Sequence, residues 1–191
     1  LVAINSPNQA EIQVEGADTQ VKIENITIDS NSNPNFGSGT RSEPGVAIEV
    51  NQTIVTTPEG DATFTPELVI KDSQIINSVS KTGGAAITSS GDVRIEGSTL
   101  TGNSAITPDG GAATNGGAIK AEGTVTVLGS ALNMNTATGD GGAIAASSVI
   151  VALDDRGVMS QLDINSAQGN GGAISASGDV SVTQAQISNN R

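Results

Sequence analysis

The sequence predicts an all-β chain, wound as a right-handed parallel β-helix of about six three-stranded rungs. Three observations lead there. A glycine-alanine-isoleucine phrase recurs four times, as Gly84-Ala85-Ala86-Ile87, Gly116-Gly117-Ala118-Ile119, Gly141-Gly142-Ala143-Ile144 and Gly171-Gly172-Ala173-Ile174. Each copy is followed by short alternating runs of Val, Ile and Leu. The gaps between those runs are too short for crossover helices. A fixed period of this kind means one coil of chain stacked on the next. Composition agrees. The 191 residues hold 24 Gly, two Phe and no Trp or Tyr, so Ile, Val, Leu and Ala must fill a thin interior of equal layers.

The first strand of each repeat carries Ile and a small residue two places on: Ile87/Ser89, Ile119/Ala121, Ile144/Ala146 and Ile174/Ala176. The second reads Val93/Ile95, Val125/Val127, Val149/Val151 and Val180/Val182. The third lies in a Ser-x-Leu-x-x-Asn phrase: Ser98/Leu100/Asn103, Ser130/Leu132/Asn135 and Ser160/Leu162/Asn165, varied at the end to Ala185/Ile187/Asn190. Alternation with a period of two marks strands with one buried face. The pattern continues upstream without the double glycine. Ile48/Val50, Leu68/Ile70 and Ser73/Ile75 form one coil, and Ile12/Val14, Val21/Ile23 and Ile26/Ile28 an earlier one. Gly116 and Gly141 are 25 residues apart, a fitting length for a three-sided rung. The hexapeptide rhythm of a left-handed β-helix is absent, which selects the right hand.

The corners have their own residues. Gly84, Gly116, Gly117, Gly141, Gly142, Gly171 and Gly172 are expected to turn the chain into the first strand, because glycine reaches positive φ cheaply. Asn31, Asn103, Asn135, Asn165 and Asn190 form a second corner column. Asn tolerates left-handed backbone, and stacked amides can bond to one another as a ladder. In one coil Ser78 takes the column's place and Asn77 comes one residue early, which predicts a local adjustment of that turn.

Composition also excludes functions. The chain has no Cys and no His, which removes disulfides, thiolate chemistry and imidazole bases. Its net charge of −12 sets it against nucleic acid phosphates and anionic membranes. No apolar run approaches the roughly 20 residues of a membrane span. Leu1-Val2-Ala3-Ile4 is too short for a signal-peptide core, so any export signal is expected outside this chain.

Leu132-x-x-Asn135-x-Ala137 followed by Gly141-Gly142-Ala143-Ile144 resembles the repeat of chlamydial polymorphic outer-membrane proteins, which pairs an FxxN element with a GGA-(I/L/V) element. Leu162-x-x-Asn165-x-Ala167 with Gly171-Gly172-Ala173-Ile174 is similar to it in the same way. The resemblance covers roughly residues 75–191. It departs at the aromatic position, which is Leu or Ile here. It implies an autotransporter-type passenger or adhesin, exported and displayed on a bacterial surface. Residues 1–191 then read as one β-helix segment excised from a longer surface protein.

Insertions interrupt the even coil. Asn103 to Gly116 is more than twice as long as Asn135 to Gly141, and Asn31 to Gly45 is as long again. Loops Ser32–Pro44 and Ser104–Asn115 leave the same corner, so they are expected to share one edge. Asn35, Phe36, Arg41 and Glu43 on the first, with Thr107, Asp109 and Asn115 on the second, are the candidate binding residues for a protein or glycan receptor. Further loops are Asn51–Glu67 and Ala152–Met159. Loops on a rigid scaffold are the usual seat of recognition, although a solenoid corner also tolerates neutral insertion.

An enzyme is not expected. Asp92 and Asp179 occupy equivalent turns three rungs apart, roughly 14 Å. Paired glycosidase carboxylates stand at about 5–9.5 Å. A carbohydrate-active β-helix and a self-associating filament segment, joined to neighbouring β-helix segments, are the alternatives. No cofactor is expected. Asn115, Asp140 and Asn170 line up as oxygen ligands of the kind Ca²⁺ takes, but an ordinary turn column explains them as well.

Overall fold

The computed structural model describes residues 12–15, 20–29, 47–51, 53–57, 60–64, 67–81, 83–107 and 111–191. Among them every regular element is a strand and none is a helix. Sheet one stacks Ile12–Glu15, Ile48–Asn51, Ile87–Ser89, Ile119–Ala121, Ile144–Ala146 and Ile174–Ala176. Sheet two stacks Val21–Glu24, Leu68–Lys71, Val93–Glu96, Thr124–Leu128, Ser148–Ala152 and Val180–Val182. Sheet three stacks Thr27–Asp29, Gln74–Ile76, Thr99–Thr101, Ala131–Asn133, Gln161–Asp163 and Gln186–Ser188. All three are parallel, and each strand pairs with its counterpart one repeat away. This is the arrangement of a parallel β-solenoid.

The register follows the repeat. Ile12, Ile48, Ile87, Ile119, Ile144 and Ile174 form one aligned row. The alternate positions align as expected too: Glu49, Thr88, Lys120, Ala145 and Ser175 stay level on sheet one, and the Gln13 backbone is level with Glu49. Parallel strands stacked in this way put like on like, so one apolar residue type per column fills the layer it meets. Ile87, Ile119, Ile144, Ile95, Leu100, Leu132 and Leu162 are fully buried. Each such side chain contributes about 1.5–3 kcal/mol through removal from water. In the coil from Gly171 the corresponding Val180, Val182 and Ile187 are 42–50% exposed, since no described residues stack beyond them.

Two features depart from the expected three-stranded rung. A fourth parallel sheet joins Val79–Ser80, Ser104–Ala105, Thr136–Ala137 and Ser166–Ala167. These strands are two residues long and, Val79 apart, made of small or polar residues, so no period-two signal betrays them. Ser104–Asn115 therefore begins as strand rather than loop. In the second departure, the Asn51–Glu67 insertion carries an antiparallel hairpin of Thr53–Thr57 and Gly60–Phe64. It branches from the coil without shifting it: Ile48 stays level with Ile87, and Leu68 with Val93.

Candidate functional site

The corners are built from buried polar ladders. Asn103, Asn135 and Asn165 are fully buried. The side-chain amide of Asn135 makes four hydrogen bonds. Its Oδ1 accepts the backbone N–H and the Nδ2 of Asn103, both at 3.0 Å. Its Nδ2 donates to the Leu100 carbonyl at 3.0 Å and to Asn165 Oδ1 at 3.1 Å. Asn165 repeats the pattern with Asn190 at 2.8 and 3.0 Å. The expected ladder is therefore present from Asn103 to Asn190, while Asn31 lies outside the described residues. Its backbone differs from expectation. The left-handed residue is the one before each Asn: Gly102 (φ 68°), Met134 (56°), Ile164 (56°) and Asn189 (55°). Asn77 (φ 59°) holds the same place ahead of Ser78, whose N–H donates to Asn103 Oδ1 at 3.0 Å. The turn at Asn77 thus needs no adjustment; only the ladder's side chain has changed.

A second ladder runs through the serines that open the third strand. Ser73, Ser98 and Ser130 each donate their backbone N–H to the hydroxyl of the next serine, at 3.0, 3.0 and 3.3 Å. Each hydroxyl in turn donates to a carbonyl in its own coil, as Ser98 Oγ does to Glu96 at 2.7 Å. The motif Ser-x-Leu-x-x-Asn contains these serines, but spacing alone does not reveal that hydroxyl and amide replace backbone partners across coils. Among the described residues no buried side-chain nitrogen or oxygen lacks a partner, which is what low-dielectric burial demands.

The two glycines of a pair do different work. Gly116, Gly141 and Gly171 have φ of 66–73°, the region that disfavours a Cβ. Gly117 and Gly142 instead permit close approach: a Cβ would fall 2.0 Å from the carbonyl oxygens of Gly142 and Gly172 in the next coil. Gly172 meets Arg191 backbone in the same way. Gly84 shares a close approach with the first glycine, with Ile87 O at 2.1 Å where Gly116 has Ile119 O at 2.2 Å, but it lacks the positive φ expected of it.

Of the candidate binding residues, Asn35, Phe36, Arg41, Glu43 and Asp109 lie outside the described residues. Thr107 and Asn115 are tied to the coil below. Thr107 Oγ1 donates to Thr138 Oγ1 at 2.6 Å, and Asn115 Oδ1 accepts Asp140 N–H at 2.8 Å. Buried Thr114, which the sequence did not single out, anchors the same loop through Ile106 O at 2.9 Å. The Asn115–Asp140–Asn170 column continues with Asn170 N–H on Asp140 Oδ1 at 2.6 Å. It is a turn ladder like the others. Among the described residues no three acidic side chains gather as a metal site would.

The least expected cluster lies on the outer face of sheet two. All ion pairs between described residues are there: Lys22–Glu24, Lys71–Glu96, Arg94–Glu96, Arg156–Asp72 and Arg156–Asp154. The insertion after Ala152 closes on itself at Asp154, which is 9% exposed. Its Oδ1 accepts the N–H groups of Val158 at 2.8 Å and Arg156 at 2.9 Å, and its Oδ2 accepts Arg156 Nε at 2.8 Å. The Val158 N–H above all, then Arg156, holds this carboxyl below its usual value, against the opposing effect of burial. The loop is laid across two corner glycines. A Cβ on Gly129 would come 2.7 Å from Asp154 Cγ, and one on Gly97 2.7 Å from an Arg156 nitrogen. Between loop and sheet runs a groove of about 350 Å³.

Comparison with family models, with curated proteins and with solved structures finds no match to this chain.

Proposed function

We propose that this chain is a non-catalytic extracellular β-helix of a bacterial surface protein, an adhesin or stalk that displays inserted loops to a host or surface ligand. The carrying observation is that insertions leave the coil undisturbed. Val151 and Val182 stay level ahead of the 153–159 insertion, and Leu132 and Leu162 stay level after it. A scaffold whose register is held by internal ladders can change its loops without changing its core. We read the coil as right-handed with six rungs, since strand–crossover–parallel strand connections take that hand almost without exception. The repeat's resemblance to chlamydial outer-membrane repeats supports display on a cell surface. In this reading nothing on the strand faces acts as catalyst, and the chain binds neither nucleic acid nor membrane directly.

The test is attachment. The chain is displayed on a bacterial cell, and binding to host cells and to polysaccharide-coated surfaces is counted. Replacement of residues 32–44, or of 107–113, by Gly-Ser linkers is expected to lower attachment while the circular dichroism of the rod is unchanged. Residues 104–105 and Thr114 are kept because they belong to the coil. Attachment equal to that of the unaltered chain in both variants would remove this edge as the binding site.

A further inference from the structure

We propose that Asn170 is a site of spontaneous deamidation, and that the coil shields the matching asparagine, Asn115, from the same reaction. The inference goes beyond the display reading and does not depend on it. The chain holds two Asn-Gly bonds, each followed by a second glycine: Asn115-Gly116-Gly117 and Asn170-Gly171-Gly172. The reaction needs only water. The Gly171 nitrogen gives its proton to solvent base and attacks Asn170 Cγ. The N–Cγ bond forms, the Cγ–Nδ2 bond breaks, and ammonia leaves. Water then opens the succinimide at either carbonyl, giving aspartate or isoaspartate. Glycine suits the attacking position because it has no Cβ to hinder ring closure.

The fold treats the two bonds differently. At Asn115 the reacting groups are engaged by the next coil. Gly116 is buried, and its N–H donates to the Asp140 carbonyl at 2.9 Å. Asn115 Oδ1 accepts the Asp140 N–H at 2.8 Å. That oxygen also lies over Gly139, where a Cβ would come 2.0 Å from it. Nitrogen and side chain can close a ring only after these contacts break. Asp140-Gly141 is held in the same way, with the Gly141 N–H on the Asn170 carbonyl at 2.9 Å. At Asn170 the restraints are missing. Asn170 and Gly171 are both exposed. Among the described residues the Gly171 N–H has no acceptor and Asn170 Oδ1 no donor. Asn170 Nδ2, the leaving group, keeps a single 3.3 Å bond to Asp140 Oδ1. A buried, hydrogen-bonded N–H reacts only through local opening, and an exposed one needs none. The product sets a second carboxylate against Asp140 in place of that amide donor.

The experiment incubates the whole chain in mildly alkaline buffer, folded and, in parallel, unfolded in concentrated urea. Trypsin then releases residues 95–120 and 157–191 as separate peptides, one for each asparagine. Mass spectrometry counts converted chains, and chromatography separates aspartate from isoaspartate. In urea the two sites share their following residues and no fold, so comparable rates are expected. In the folded chain Asn170 should convert more than about tenfold faster than Asn115. Isoaspartate should accompany aspartate at Asn170, as ring opening at either carbonyl requires. Equal rates at the two sites in the folded chain, conversion of Asn170 in urea alone, or aspartate without isoaspartate would each overturn the proposal. Each of these results leaves the display reading standing, since attachment is measured separately.

Discussion

Replacing Asn135 by alanine tests whether the amide ladder holds the coils together. The truncation leaves two donors of Asn103, its backbone N–H and one amide N–H, without the oxygen they now share. It also takes a donor from the Leu100 carbonyl and one of two from Asn165 Oδ1, which still receives the Asn135 backbone N–H at 3.0 Å. Asn135 is fully buried, so bulk solvent does not reach these groups in the intact coil. Four bonds at about 1 kcal/mol net give about 4 kcal/mol, and orphaned buried donors push the figure up rather than down. Asn190 is the internal control. Its side chain is partly exposed and makes three bonds: to the N–H and amide of Asn165, and to Leu162 O. Solvent replaces much of what its truncation removes, so Asn190→Ala should cost about 1–2 kcal/mol. Urea unfolding followed by far-ultraviolet circular dichroism measures both. A cost for Asn135→Ala below about 1 kcal/mol, or no greater than that for Asn190→Ala, would refute the reasoning. The ladder would then be a consequence of stacking rather than one of its causes.

Three further outcomes follow from the same geometry. Ile164 is β-branched, 54% exposed and held at φ 56°, so Ile164→Asn should stabilise by about 1 kcal/mol, read as a higher urea midpoint. Gly142→Ala should cost more than about 3 kcal/mol or prevent folding, because its Cβ would meet Gly172 O at 2.0 Å; Gly157→Ala, with open space around it, should cost only about 1 kcal/mol for its φ of 79°. Acid should act through Asp154 and Asp163. The latter is lowered first by the Ser188 hydroxyl, then by the Asn189 amide. A carboxyl depressed in the folded state contributes fully above its unfolded value, near 3.8, and loses that contribution as pH falls through the lower folded value. The urea midpoint should therefore be insensitive to these groups from pH 7 to 5 and fall below pH 4. Asp154→Asn should flatten that fall; an unchanged slope would count against the assignment.

Much of the coil is legible in the chain because a repeat makes each position its own control. The rows Ile87–Ile119–Ile144–Ile174 and Leu100–Leu132–Leu162 can be read directly, since parallel stacking with like on like turns a sequence period into a column. The glycine pair was legible as a corner, but its division of labour was not. Gly116 answers to its own φ, whereas Gly117 answers to the Gly142 carbonyl, an atom 25 residues away in chain and adjacent only in space. The left-handed residues were misassigned for a related reason. Met134 and Ile164 have no intrinsic preference for that region; they are held there by the ladder that follows them.

The charged face of sheet two was the least legible of all. Lys71, Arg94, Glu96, Asp154 and Arg156 are scattered along the sequence, and no single period links them all. Their meeting depends on where the inserted loop falls after leaving Ala152, and it falls across Gly97 and Gly129, where no Cβ stands in the way. Periodicity was enough to specify strands, their parallel register and the buried aliphatic columns, because those depend on residues one period apart. Corner geometry, the fourth short strand and the charged groove depend on contacts between non-equivalent positions. Repetition carries no information about such contacts, and they take shape only once the coils are packed.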